Sequence, residues 1–183
     1  MPKQTRNFNP WHDVSPGEKC PTEINAIIEV PMGSSTKYEI DKETGMIKLD
    51  RVLYSPVHYP ADYGFIPRTY WEDDDPLDII VISNFPVNPL TLVKARPVGV
   101  LRMIDKERDD TKIIAVHSTD PRFDGIKNLK DISEHTIKEL RHFFEIYKEL
   151  QGVKVTVVEF KDKEFAYRFI EKGIKLYKEK FEK

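Results

Sequence analysis

The sequence predicts an α+β domain built on a curled or closed β-sheet, with two helices in its C-terminal half packed outside it. Three observations carry this. Short alternating or continuous apolar stretches recur through most of the chain, and two longer stretches with helical apolar spacing come late. No repeat, linker or low-complexity segment divides the 183 residues. That length fits a single domain, residues 1–183, with enough chain to bury a core.

The elements follow in order. Pro2, Pro10, Pro16 and Gly17 punctuate the opening with little periodicity, so residues 1–21 read as an irregular arm that packs only in part. Ile24 to Val30 reads as a strand with Ile24, Ala26, Ile28 and Val30 on one face. Lys37 to Asp41 alternates strictly, placing Lys37, Glu39 and Asp41 together, and Lys42-Glu43-Thr44-Gly45 turns it into a second strand from Met46 to Tyr54. Further strands are expected at Ile79 to Ile82, Leu90 to Ile104, Lys112 to Val116 and Val153 to Phe160. Pro97-Val98-Gly99 interrupts the second of these and marks a bend or bulge. A helix is expected from Glu134 to Leu150, N-capped by Ser133, with Ile137, Leu140, Phe143, Phe144 and Tyr147 on one stripe. A second covers Glu164 to Phe181, with Ala166, Phe169, Ile170, Ile174 and Tyr177 facing inward.

Charge excludes several classes. Lys and Arg number 29 against 31 Asp and Glu, a net of −2, which argues against binding nucleic acid through bulk positive charge. The longest apolar runs, Ile79 to Ile82 and Ile113 to Val116, are far short of the about 20 residues a membrane helix needs. No apolar segment of a secretory signal opens the chain, and the single Cys20 excludes an intrachain disulfide framework. A cytoplasmic protein is expected.

Chemistry concentrates in acidic runs. Glu72-Asp73-Asp74-Asp75-Pro76-Leu77-Asp78 leads straight into the apolar strand Ile79 to Ile82, so it is anchored on a buried element. Unit charges about 4 Å apart repel by roughly 4 kcal/mol at an effective dielectric of about 20. Several carboxylates held there ask for a cation, and oxygen ligands favour Mg²⁺, Mn²⁺ or Ca²⁺ over zinc. A solvated acidic loop is the competing reading. An EF-hand is excluded, because a loop starting at Asp73 puts Asp78 where the invariant Gly belongs. A second acidic stretch, Asp105 to Asp110 followed by Lys112, reads either as a polar hairpin loop or as another arm of a metal site. Arg51 falls by alternation on the face of Ile47, Leu49 and Leu53, so it is either an internal ion-pair partner or a ligand for an anion. Tyr54, Tyr59 and Tyr63 crowd a proline-interrupted loop, as packing or as donors to phosphate oxygens, and Tyr147 lies central on its helix stripe with Lys148 at the border. Histidines lack zinc spacing, and no glycine-rich phosphate loop or nucleophile elbow is present. An anion would therefore be held by side chains. The pattern points to metal-assisted handling of a small, highly charged phosphate compound.

Asp73-Asp74-Asp75-Pro76-Leu77-Asp78-Ile79 resembles the signature of the soluble family I inorganic pyrophosphatases, commonly Asp-Gly-Asp-Pro-x-Asp. The resemblance runs from about Asn9 to the C-terminus. It takes in Ile28-Glu29-Val30-Pro31, Lys37-Tyr38-Glu39-Ile40-Asp41, Leu49-Asp50-Arg51, Tyr59 to Gly64, Ala95 to Gly99 and His142 to Lys148. It implies hydrolysis of pyrophosphate by a metal-activated water, with Mg²⁺ as cofactor and Mn²⁺ or another divalent ion as a substitute. It assigns Asp73, Asp78 and Asp110 to the tightest metal positions, Asp105 with Asp110 to a further metal arriving with substrate, and Glu29 to the site's edge. It sets Asp75 against the nucleophilic water, and Lys37, Arg51, Tyr63, Lys112, Tyr147 and Lys148 on phosphoryl oxygens. It further implies a five-stranded OB-type β-barrel and, for a short prokaryotic form, a homohexamer.

Two positions depart from the pattern. Asp74 replaces the usual Gly and is expected to face solvent, and Lys106 stands where a carboxylate is common. The rival reading is a non-catalytic OB-fold module for single-stranded nucleic acid, which would need a basic groove lined with aromatics.

Overall fold

A computed structural model describes residues 8–182. A short helix α1 (Pro10–Asp13) precedes β1 (Ile24–Val30), β2 (Thr36–Ile40), β3 (Ile47–Val52), β4 (Asp62–Phe65), β5 (Asp78–Ile82), β6 (Leu92–Asp105) and β7 (Arg108–His117). Helix α2 (Glu134–Ile146), strand β8 (Val155–Asp162) and helix α3 (Lys163–Phe181) complete the chain. Six strands form one mixed sheet in the order β1-β4-β5-β7-β6-β8, and β2-β3 form a separate ribbon. Strand β1 pairs with β6 as well as with β4, so five of the strands pair in a closed ring. Among the described strands only β5 and β7 pair in parallel.

The apolar runs in β5 and β7 are continuous because both faces are covered. Ile79, Val81, Ile113 and Ala115 join a core with Ala166 and Ile170 of α3. Their alternates Ile80, Ile114 and Val116 join another with Leu140, Phe143 and Phe144 of α2. Burying each such side chain is worth about 1.5–3 kcal/mol, so the middle of this sheet is firmly held between the two cores. Strand β6 serves two partners by bending. Residues 92–95 pair with β1 and residues 99–105 with β8, and the register shifts between Pro97 and Gly99, where the sequence predicted a bulge.

Several expectations are corrected. Strand β4 lies in what the sequence suggested was loop, since its four residues are all buried and show no alternation. Its Gly64 is required: a Cβ there would stand 1.9 Å from the Ile27 carbonyl oxygen of the neighbouring strand. Helix α2 ends at Ile146, short of Leu150, because Lys148 leaves helical geometry and a 3₁₀ turn follows, closed by Gly152 at φ 72°. Of the arm, residues 1–7 lie outside the described residues. The rest packs in part, as the sequence suggests: α1, capped by Asn9, buries Trp11 to 5% exposure, while Asp13, Ser15, Glu18 and Lys19 stay exposed. In β3 the register slips between Lys37–Arg51 and Tyr38–Leu49, leaving Asp50 as the extra residue of a bulge. Leu49 is 59% exposed, so the apolar face expected beneath Arg51 is broken.

Candidate active site

All twelve residues singled out as site candidates line one cavity of about 550 Å³. Its floor is built on strand ends. Asp78 opens β5 directly opposite Lys112 of the parallel neighbour β7, while β4 on the other side brings up Tyr63. Asp110 and Lys112 are two apart on one strand and share a face. The Lys112 ammonium lies 2.7 Å from Asp78 Oδ2 and 2.7 Å from Asp110 Oδ1, and donates to the Tyr63 hydroxyl at 3.1 Å. All three of its donors are used. Tyr63 in turn donates to Asp78 Oδ2. Lys112 is 2% exposed; burial alone would lower its pKa, but Asp110 and Asp78 outweigh burial and raise it well above the ordinary lysine value.

The carboxylates around this floor are held against their inclination. Burial pushes Asp73 up to about 6, with Asp78, Asp110 and Asp75 adding repulsion. Burial pushes Glu29 up to about 8, although its Oε1 accepts the Ile40 N–H at 2.7 Å. Asp78 is likewise raised, burial and Asp110 prevailing over Lys112. The second acidic stretch is a hairpin: Lys106 and Glu107 take φ 48° and 67°, the left-handed pair of a two-residue turn, so Asp105 and Asp110 sit on strands and not in a loop. Asp105 Oδ2 pairs with Lys148, while its Oδ1 is buried without a hydrogen-bond partner. The early end of α2 leaves Tyr147 and Lys148 at the cavity wall. Burial raises the Tyr147 phenol well above its usual value and lowers the Lys148 ammonium despite Asp105.

The opposite wall belongs to the β2–β3 ribbon. Lys37 and Arg51 are register partners. Asp50, displaced by the bulge, accepts from both, at 3.2 Å from Lys37 Nζ and 2.8 Å from Arg51 Nε. Asp75, on the loop before β5, pairs through Oδ1 with Lys42. Asp74 faces solvent as expected, at φ 70° and bonded to Tyr70.

Sequence reasoning gave no individual role to three contributors. Asp50 entered only as a neighbour of Arg51 in the family pattern, because a bulge has no signature in the alternation. Tyr59 lay in the tyrosine-rich segment, but nothing there set its direction. It is buried in the cavity wall, 4.8 Å from the Phe143 ring, and burial pushes its phenol up to about 12. Lys42 sits in a turn, where lysines are ordinarily solvated.

The donor set suits a hard divalent cation. It is all oxygen, it is over-supplied with carboxylates, and it holds an orphaned buried oxygen in Asp105 Oδ1. Among the described residues no three His, Cys, Asp or Glu side chains are already gathered closely enough to cage a metal unaided. Instead the ammonium groups of Lys112, Lys148 and Lys42 stand against the carboxylates. Carboxylates interleaved with ammonium, guanidinium and phenol groups make the cavity strongly polar, with donors for an anion beside oxygens suited to hard cations. Among the described residues no helix is long and apolar enough to cross a membrane.

The comparisons agree. The family model described as inorganic pyrophosphatase matches residues 26–178. A soluble inorganic pyrophosphatase of Chlamydomonas reinhardtii is 41% identical over 173 residues, 94% of this chain and 90% of that protein. One from Arabidopsis thaliana is 45% identical over 93% of this chain and 79% of its own. The crystal structure of inorganic pyrophosphatase from Thermus thermophilus superposes with a TM-score of 0.90 at 42% identity, covering 93% of this chain and 99% of that one. The chain belongs to the inorganic pyrophosphatase family.

Proposed function

We propose that this protein hydrolyses pyrophosphate to two orthophosphates, with Mg²⁺ as its usual cofactor and Mn²⁺ as a substitute. The observation that carries the reading is the floor itself: Asp78, Asp110 and Lys112 drawn together on two parallel strands, with Asp73 and Glu29 beside them. Mutually repelling carboxylates in a desolvated cavity are stabilised by dications, and Lys37 and Arg51 of the ribbon, with Lys112, Lys148, Tyr63 and Tyr147, supply the cations and phenols that match the substrate's charge. Asp73, Asp78 and Asp110 would hold the tighter ions, Asp105 with Asp110 a further one, and Glu29 would support them from the edge. Bound dications supply a water of lowered pKa and neutralise charge on the phosphoryl oxygens.

The chain's own residues supply the rest. Asp75 orients the attacking water and accepts its proton. Lys37 and Arg51, braced by Asp50, hold one phosphoryl group, and Arg51 can grip two oxygens with its planar fork. Tyr63 and Tyr147 are held as neutral phenols by burial, so they donate hydrogen bonds and do not repel the anion. Lys112 and Lys148 turn to phosphoryl oxygens once their carboxylates have another counter-charge. The departing phosphate leaves in line with the incoming water, its growing charge met by these cations.

We read the five-strand ring as the OB-type barrel of the family, the assembly as a homohexamer and the compartment as the cytosol. The acidic lining of the cavity disfavours a nucleic-acid strand as occupant. Phosphate release from pyrophosphate tests the function directly. It should be rapid with Mg²⁺ and abolished by chelator or by Ca²⁺, which prefers looser coordination by 6–8 ligands. Undiminished turnover in Ca²⁺ would overturn the metal assignment, and no release in Mg²⁺ would overturn the function.

A further inference from the structure

Among the described residues, Asp75 takes its cation from a turn, whereas Asp78, Asp110 and Asp105 take theirs from a strand or a helix end. Lys42 opens the β2–β3 turn, and its ammonium makes two contacts with the acidic loop: it pairs with Asp75 Oδ1 and donates to the Asp74 carbonyl oxygen at 3.1 Å. A lysine that binds both a side chain and the adjoining main chain restricts the rotation of that carboxylate. With Oδ1 engaged, Oδ2 is the oxygen left for the cavity.

Lys42 is itself seated from below. Its carbonyl oxygen accepts from Asn9 Nδ2 at 2.8 Å, and its ammonium lies 5.6 Å from the Trp11 ring centroid. Asn9 uses its other end, Oδ1, to cap α1 at Trp11 N. Trp11 Nε1 donates to the Thr69 carbonyl oxygen at 2.7 Å, and Arg68 N donates to the Trp11 carbonyl oxygen at 2.8 Å. The α1 segment therefore grips both the turn that carries Lys42 and the chain leading into the Asp75 loop. Asn9 and Trp11 are both buried, which makes the platform rigid although the ion pair above it is half exposed.

We propose that Lys42 is a positioning residue for Asp75, set in place by Asn9 and Trp11. It holds the carboxylate in the orientation in which its free oxygen meets the attacking water. This rests on the pyrophosphatase reading and extends it to a residue that would contact neither substrate nor the reacting atoms. A half-exposed ion pair adds little to stability, so its value lies in aim. Misdirection of a reacting group by about 1 Å can cost as much as about 10²-fold in rate.

The test compares wild type, Lys42→Met, Lys42→Arg and Asn9→Ala in steady-state kinetics at saturating Mg²⁺. Lys42→Met should lower kcat about tenfold with KM for pyrophosphate within about twofold. Lys42→Arg should recover most of the loss, and Asn9→Ala should fall between. A raised KM at unchanged kcat would make Lys42 a substrate contact and overturn the proposal, as would unchanged kinetics, or an arginine variant as poor as the methionine one. A crystal structure of Lys42→Met is read independently of turnover: Asp75 should occupy more than one conformer where the wild type shows one. A single unchanged conformer overturns the proposal. Absence of activity in the wild type itself would instead count against the pyrophosphatase reading, and the Asp75 conformers would still decide whether Lys42 positions that carboxylate.

Discussion

The two walls of the cavity are held in different ways. The floor, with Asp78, Asp110, Lys112 and Tyr63, sits on neighbouring strands between two apolar cores, and its ammonium is almost wholly desolvated. The rim, with Lys37, Arg51, Lys42 and Asp75, sits on a two-stranded ribbon, a turn and a loop, and Lys42 and Asp75 are half exposed there. Forcing like charges together needs a frame that cannot yield, whereas engaging and releasing a small anion needs side chains that can. On the proposed function, the difference sets the carboxylates that would hold the dications on the stiff floor, and Asp75 with the cations Lys37 and Arg51 on the more yielding rim.

The sharpest break between the walls should come from two carboxylates three residues apart. Asp75→Asn on the rim should lower kcat by about 10²–10⁴-fold, the usual worth of a positioned acid–base group, with Mg²⁺ affinity little changed. Asp78→Asn on the floor should weaken metal binding, because a neutral amide oxygen is a poorer ligand for a hard dication, and excess Mg²⁺ should recover part of the activity. Mg²⁺ titrations of activity beside calorimetric metal binding distinguish them. Equal rescue of both variants would make Asp75 one more ligand and erase the division.

Stability offers the next contrast. In the metal-free protein Lys112→Met leaves Asp78 and Asp110 buried without their cation. Breaking a buried pair in this way costs about 3–5 kcal/mol, on the order of a 10 °C fall in Tm for a chain of this size. Added Mg²⁺ should restore much of it by binding the folded state. Calorimetry without divalent ions checks this, and a Tm within about 2 °C of wild type would show that the floor is not under charge strain.

A smaller effect is expected at Arg51→Lys. The charge stays, but the fork that Asp50 braces is lost, so KM should rise by about tenfold with kcat reduced and Tm nearly unchanged. Kinetics equal to wild type would leave Arg51 a structural partner of Asp50 alone.

Much of this architecture was legible in the residues, and the exceptions share a cause. The runs Ile79 to Ile82 and Ile113 to Val116 announced buried strands because apolar continuity is what two covered faces require. Pro97 and Gly99 announced the bulge that lets β6 serve two partners. The family pattern brought the site residues to notice, and the structure gathers them in one cavity. What stayed hidden depends on pairing. Strand β4 exists because Gly64 lets β1 approach, which a four-residue segment cannot reveal by periodicity. The bulge at Asp50 is a register event between two strands, invisible in either alone. Lys42 acquires its partners only when the arm, the turn and the acidic loop meet.

The mildest test concerns Asp74, a rim residue that the structure turns away from the cavity. Its φ of 70° is one that L side chains adopt at a cost, its carboxylate bonds the Tyr70 hydroxyl, and its side chain faces solvent. Asp74→Gly relieves the left-handed backbone, a gain of about 1 kcal/mol. Against this stand the loss of the tyrosine contact and the greater freedom of glycine in the unfolded chain, about 0.5–1 kcal/mol. The opposing effects nearly cancel, so Tm should move by less than about 4 °C and kcat and KM should stay within about twofold of wild type. Its neighbour Asp75 carries the same charge but lines the cavity and pairs with Lys42, so the two variants together separate loop charge from placement. If Asp74→Gly lowered kcat by tenfold or more, negative charge anywhere on the loop would matter to the reaction. The aimed carboxylate at Asp75 would then lose its special standing.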